Sequence, residues 1–366
     1  MIGAVQLGAV AACVVLFVPM GMAGYHLSRN KMLFFSGFLF ITLAVGVHLM
    51  PYFPSVSNLV SSLSLSPAAV VVENRDTCLS FLHEIVWDGN SIGVDEFPFN
   101  SSNHNKLWSW DKSTPVIACG FQKLGRLDAS VLLNGSWIVV AGDSQARLFT
   151  LALLDLILDS KQMESVRIDL FKRHSDYQIV IEEHGVKLDF IWAPYAANLT
   201  DLLTKFKFNR PYPDVLVMGS GLWHMLHFTN ASDYGVLLGS LKRSAVSLLP
   251  VFSDTENEGP VAGSLPIQSP HMFWLGMPTL IQSLLNTEEK EEKMNGTMCD
   301  AYDRELYESK LLRQFGGPFL LLDIGSLSRR CGLRCTVDGM HYDNVVYEAA
   351  NHIMLNALLI ESQQQI

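Results

Sequence analysis

The sequence predicts an α/β fold: a central, mostly parallel sheet with helices on both sides, preceded by an N-terminal transmembrane hairpin. Three observations predict it. Short apolar runs recur from Trp137 to Ile324, and most are continuous rather than alternating, as in strands buried on both faces. Between several of them lie stretches whose apolar residues return at helix period. Ahead of these stand two uncharged apolar segments, each longer than the ~20 residues a helix needs to cross a bilayer.

Those segments cover residues 3–25 and 32–53, and neither contains Asp, Glu, Lys or Arg. The short polar turn between them carries Arg29 and Lys31. A cleaved signal peptide would show a charged leading region and a single shorter apolar core. A single anchor would leave one run unexplained. Residues 1–54 therefore read as a helical hairpin with its turn in the cytosol, by the positive-inside bias, and the rest of the chain in the lumen. Residues 55–72 are serine-rich and mostly uncharged, as in a stalk, and residues 73–366 form the lumenal domain.

Within that domain, residues 73–125 show little periodicity and read as loops wrapped on a core, with Trp87, Trp108 and Trp110 among them. Trp137–Ala141 is strand-like, and residues 147–158 carry apolar side chains at helix spacing. Further strands are expected at Leu188–Trp192, Val215–Met218, Val246–Phe252, Phe273–Gly276 and Phe319–Ile324. Helices are expected at Tyr234–Arg243 and Tyr302–Gln314. A last helix, Val345–Leu359, places Val346, Ala350, Ile353, Met354 and Ala357 on one face. The charged run Glu288–Lys293 reads as a solvated loop.

The chain has 366 residues, 49% hydrophobic and 17% charged, and a net charge of −10. With no basic stripe or RNA-binding motif, nucleic acid is excluded as a partner. Five sequons, at Asn100, Asn134, Asn198, Asn230 and Asn295, all lie beyond the apolar hairpin and favour the secretory pathway as glycosylation sites. Chance would give roughly two. Cys13 falls in the first apolar run. Cys78, Cys119, Cys299, Cys331 and Cys335 are disulfide candidates, an odd set that leaves one thiol over. The close pair Cys331 and Cys335 lacks the second pair or clustered His of a zinc site, so no metal is expected.

Two motifs carry the chemistry. Trp137–Ala141 leads into Gly142, Asp143 and Ser144, a strand that delivers a serine to the start of a helix. Open α/β sheets bind ligands at that edge, and the first N–H groups of a helix can face an anion. Gly-Asp-Ser is also a good turn with an N-cap. Near the C-terminus, Asp338 and His341 stand three apart just before the last helix. A serine hydroxyl needs a base to take its proton and usually a carboxylate to orient that base. Ser144, His341 and Asp338 supply all three.

This pattern resembles the SGNH/GDSL hydrolase superfamily and, within it, the plant PC-esterase group. That group includes the trichome-birefringence-like polysaccharide O-acetyltransferases and the lumenal domain of sialate O-acetyltransferases. The resemblance spans roughly Trp87 to Leu359. Arg147, three residues after the serine, matches an arginine common in the group. Leu188–Tyr195 is similar to its middle strand, Pro213–Trp223 to its third block, and Asp338 with His341 to its terminal Asp-x-x-His.

The resemblance implies an SGNH-hydrolase-like three-layer αβα sandwich in the Golgi lumen. It implies an O-acetyltransferase acting on plant cell-wall polysaccharides of xyloglucan or xylan type through an acyl-enzyme on Ser144. The acceptor is then a polysaccharide or oligosaccharide, other proteins of the acetylation machinery are possible partners, and no cofactor stays bound. The acetyl donor is left open between acetyl-CoA and a membrane-delivered intermediate, since no phosphate-cradling Gly-rich loop is present. Two alternatives use the same residues: a polysaccharide O-acetylesterase, and a non-catalytic glycan-binding or scaffold member.

The sequence departs from the superfamily in its third block, where an Asn side chain usually serves the oxyanion. Here stand Gly219, Ser220 and Gly221. The donor is then a backbone N–H of Gly219 or Gly221, or Ser220, beside Ser144 itself. Arg147 either binds a substrate oxygen, pairs with Asp143 or caps a helix. His224 reads as a packing or hydrogen-bonding residue, His174 as part of a surface turn, and Trp108 and Trp110 as core filling rather than a sugar platform.

Overall fold

The computed structural model describes residues 75–88, 107–209, 212–249 and 270–362, all within one compact unit that begins at Glu73. Both expected membrane spans, Cys13, the stalk and Asn100 lie outside the described residues. Among the described residues no helix is long and apolar enough to cross a membrane.

The unit opens with α1 (Arg75–Phe81), then β1 (Ile85–Asp88) and β2 (Leu107–Trp110), which pair antiparallel with Trp87 opposite Trp108. Next come α2 (Thr114–Ala118), α3 (Arg126–Leu132), β3 (Trp137–Gly142), α4 (Ser144–Ile157) and α5 (Ser160–Leu170). β4 (Tyr177–Ile181), β5 (Val186–Trp192), α6 (Ala196–Asn209), β6 (Val215–Met218), α7 (Leu222–His227) and α8 (Ala231–Val246) continue the alternation. The chain closes with β7 (His271–Leu275), α9 (Glu288–Lys293), α10 (Gly296–Glu308), β8 (Leu320–Leu322), α11 (Ile324–Cys331) and α12 (Asn344–Ser362).

The main sheet runs β4-β5-β3-β6-β7-β8 among the described residues. Every neighbouring pair is parallel except β4 with β5. β3 lies between β5 and β6, so Ile138, Val139, Val140 and Ala141 are all 0% exposed. That placement is why its sequence is a continuous apolar run. Ile138 and Val140 face a core built with α3, α4, α11 and α12. Val139 and Ala141 face a second core built with α6, α8 and α10. Helices thus cover both sides of the sheet.

Several expected elements are corrected. Residues 73–125 are not only loops: they hold α1, the β1–β2 pair and α2. Their short strands and two-turn helices carry too few residues for periodicity to register. Val246–Phe252 is not a strand where it is described. Val246 ends α8, Ser247 is its C-cap and Leu248 turns back into the core; the remainder lies outside the described residues. The Glu288–Lys293 run is α9, with the Thr287 hydroxyl accepting from the Lys290 N–H and Lys293 bonding Glu289 one turn back.

Cys78 bonds Cys119, and Cys331 bonds Cys335, leaving Cys299 as the free thiol among the described residues. The first bridge closes a 41-residue separation and the second only 4. On loop-closure entropy the first stabilises by about 4 kcal/mol and the second by about 2 kcal/mol. Replacing Cys78 and Cys119 with alanine is therefore expected to lower the urea midpoint about twice as far as replacing Cys331 and Cys335. Equal losses would mean that chain entropy is not what these bridges restrict.

Candidate active site

β3 runs into the site through Gly142, where a Cβ would come within 2.6 Å of the Gly219 carbonyl oxygen and 2.8 Å of Ala146 Cβ. Only glycine lets the β3 and β6 ends approach so closely. Asp143 then takes extended backbone and caps α4, its carboxylate accepting from the Gln145 N–H at 2.9 Å. Ser144 is the first helical residue. Among the described residues no acceptor engages its N–H, as expected for the first turn of a helix.

The C-terminal motif folds as an Asx turn. One Asp338 oxygen accepts from the N–H groups of Met340 (3.0 Å) and His341 (2.7 Å). The other lies 2.7 Å from His341 Nδ1. His341 Nε2 lies 2.8 Å from Ser144 Oγ. The Thr336 hydroxyl donates to the His341 carbonyl at 2.7 Å and accepts from the Gly339 N–H at 3.0 Å, bracing the turn. Burial works against the Asp338 carboxylate, but the His341 N–H and ring and the Met340 N–H outweigh it and hold its pKa below the usual range. Anionic Asp338 accepts from Nδ1–H, which leaves the Nε2 lone pair for the serine proton.

Sequence reasoning missed Gln145, a residue with no catalytic signature. Its side chain is buried between the two motifs, donating to the Met340 carbonyl at 3.1 Å and accepting from the Tyr347 hydroxyl at 2.5 Å. It links the start of α4 to the Asp338 turn and to α12.

Asp143 is 3% exposed, and burial pushes its carboxyl up to about 6, opposed by the Gln145 N–H and the charge of His341. Its folded-state pKa is above the unfolded one, so its contribution to stability is fullest below about pH 4 and is lost as pH rises through about 6. An asparagine keeps the capping oxygen and does not titrate. Between pH 4 and 7 wild type is expected to lose about 3 kcal/mol relative to Asp143→Asn. Urea midpoints measured across that range test it, and parallel curves would sink it.

The oxyanion candidates separate. Gly219 is corrected: its N–H donates to the Ala141 carbonyl at 3.1 Å, within the sheet, and has no donor left to give. Ser220 Oγ is buried without a partner beside a void of about 10 Å³ that touches Asp143 and Gln145. Gly221 has φ 138°, a conformation glycine alone adopts readily. The Tyr234 hydroxyl donates to the Ser220 carbonyl at 2.9 Å. In a trans peptide that carbonyl and the Gly221 N–H point opposite ways, so Tyr234 turns the N–H away from the helical layer. No acceptor among the described residues takes it.

A cavity of about 340 Å³ opens on Ser144 and His341, with Arg147, Trp192 and Trp223 among its walls. Arg147 is 8% exposed, and its guanidinium lies 4.8 Å from the Trp192 ring and 5.3 Å from Phe190. It does not pair with Asp143. His174 is exposed, as a surface turn implies, yet it also lines this cavity, stacked 4.9 Å from Trp192 with φ 53°. His224 is buried and bonds the Tyr302 hydroxyl at 2.8 Å and Asp233 at 3.2 Å, a structural role. Trp108 is buried in the core, and Trp110 donates to the Leu82 carbonyl, so both fill space. Of the sequon residues, Asn134, Asn198 and Asn230 are exposed, and Asn295 is half-buried as the N-cap of α10.

No family model matches the chain. It is 56% identical over 374 residues to the Arabidopsis thaliana protein named ALTERED XYLOGLUCAN 9, with 100% of each chain covered. Among solved structures, LAE5, an α/β hydrolase enzyme from the metagenome of Lake Arreo, Spain, matches 62% of this chain and 96% of its own. Its identity is 16% and its TM-score 0.35, too slight a likeness to bear on fold or chemistry.

Proposed function

The chain belongs to the family of ALTERED XYLOGLUCAN 9, and from that premise we propose that it is an O-acetyltransferase of plant cell-wall polysaccharides of xyloglucan or xylan type. The observation that carries this reading is the hydrogen-bonded line from Asp338 through His341 to Ser144, at 2.7 and 2.8 Å. The apolar segments 3–25 and 32–53 and the sequons support a site of action in the Golgi lumen, tethered to its membrane.

His341 Nε2 takes the Ser144 proton as Oγ attacks the carbonyl carbon of an acetyl donor. Negative charge collects on the carbonyl oxygen, and the N–H groups of Ser144 and Gly221 are the donors left to meet it. Collapse breaks the bond to the leaving group, which receives the proton from His341, and an acetyl ester remains on Ser144. A sugar hydroxyl then loses its proton to His341 and attacks the ester. The acetyl passes to the sugar and Ser144 Oγ recovers the proton. Asp338 stays ionised throughout and balances the imidazolium.

Hydrolysis is the second reading. His341 is 35% exposed, so water can reach the acyl-enzyme and replace the sugar. The same triad argues against a purely scaffolding role. The test is to incubate the full-length chain with acetyl-CoA or p-nitrophenyl acetate and a xyloglucan or xylan oligosaccharide, and to follow intact masses. The expected result is an acetyl adduct on the protein and acetylated oligosaccharide. Free acetate without acetylated sugar would favour the esterase. No adduct and no product from either donor would sink both.

A further inference from the structure

The mechanism above leaves one buried charge without a role. Arg147 stands one turn beyond Ser144 on α4, so the two side chains share a helix face with Cβ atoms roughly 5–6 Å apart. Its Nε and Nη2 atoms are buried with no hydrogen-bond partner. Among the described residues no carboxylate pairs with it. Aromatic faces offset part of the charge, but a guanidinium has five N–H donors in a plane that ring faces do not satisfy. A buried, unpaired cation is strongly unfavourable unless a ligand completes it.

Its surroundings have the same sign. Arg173 and Lys290 line the same cavity, and no Asp or Glu is among the lining residues. The chain as a whole carries −10, so this pocket runs against the charge of the molecule. A cavity of about 340 Å³ holds little more than one sugar ring and an acyl group. The anion must therefore lie close to the reacting atoms. The phosphates of a nucleotide-linked thioester, far along the carrier, do not meet that condition.

Resting on the Ser144 acyl-transfer reading, we infer that the substrate this pocket accepts is anionic, with a carboxylate or phosphate held by Arg147 within a sugar ring's width of the acyl carbon. Arg173 and Lys290 lie on its approach. Two sources have this chemistry: an acidic oligosaccharide bearing a uronate, as acceptor, and an acyl phosphate, as donor. Bidentate grip of the anion by the guanidinium fork would also fix which atom of the substrate faces Ser144.

The test uses the full-length Ser144→Ala chain, which binds without turnover. Calorimetric titrations compare a xylo-oligosaccharide bearing glucuronate, the same oligosaccharide without it, and acetyl phosphate. At least one anionic probe is expected to bind about tenfold or more tighter than the neutral one, with affinity falling as salt is raised. Which probe does so identifies the source. Adding Arg147→Gln should erase the preference and Arg147→Lys should keep part of it. Arg173→Gln with Lys290→Gln, at exposed and half-buried positions, should weaken anion binding about threefold without unfolding the chain. Equal affinity for acidic and neutral probes overturns the inference. So does a preference that survives in a folded Arg147→Gln chain or, should that variant unfold, one that is undiminished in the rim double variant. The acetyl adduct on wild type is a separate measurement. A normal adduct with no anion preference sinks only this inference; an anion preference with no adduct sinks the acyl-enzyme readings and leaves the anion site standing.

Discussion

Ser144→Ala is expected to leave the fold intact and to lower acetyl turnover on the order of 10⁶-fold, the scale at which losing the nucleophile of such a triad leaves only binding and oxyanion stabilisation. Ser144 is half-buried at the head of a helix whose cap is supplied by Asp143, so the lost hydroxyl affects neither core nor cap. Its only hydrogen-bonding partner among the described residues is His341, which can bond water instead. Thermal unfolding should therefore match wild type, while the acetyl adduct on the protein disappears. A variant that is folded and still acetylated would place the nucleophile elsewhere.

Asp338→Asn is expected to cost on the order of 10⁴-fold in turnover with the fold preserved. One Asp338 oxygen is committed to two backbone N–H groups, so the asparagine oxygen belongs there and its amide nitrogen faces His341 Nδ1. An N–H donor at that point forces the proton of His341 onto Nε2. A protonated Nε2 donates to Ser144 instead of accepting from it, and the serine loses its base. Substrate KM should change little, because the damage is to the tautomer. A loss of less than tenfold would mean that the base is oriented by another group.

The centre of the sheet was legible in the sequence because β3, β6 and β7 are buried on both faces, and β5 because its run is long and apolar enough to register. The runs at 137–141, 188–192, 215–218 and 273–276 coincide with β3, β5, β6 and β7. β4 was not legible: its alternating burial and short length make Tyr177–Ile181 look like ordinary surface. β1, β2 and α1 are each a few residues long and gain their order from a long-range bridge and from packing on α12, neither of which local spacing records. α9 formed where charges suggested solvent: Glu289 and Lys293 sit one turn apart and bond each other, and the Thr287 hydroxyl caps its start.

In the site, Ser144, Asp338 and His341 were legible since their chemistry demands those residue types. Gly219 looked equal to Gly221 as an oxyanion donor because sequence does not reveal which N–H a parallel strand consumes. Gln145 and Tyr234 carried no signal at all. Both act by holding backbone in place, and any polar residue at those positions reads as ordinary.

The bonds of Gln145 have a consequence for how the protein comes into being. Its two side-chain bonds reach across sequence separations of 195 and 202 residues, and the Ser144–His341 contact spans 197. A ribosome that has finished the sheet strands β3 to β6 has made the nucleophile but not its base. Only when residues 338–362 arrive and α12 docks on α4 does the serine meet the histidine. Translation thus supplies Ser144 long before His341, and their hydrogen bond waits for the C-terminal residues to be made.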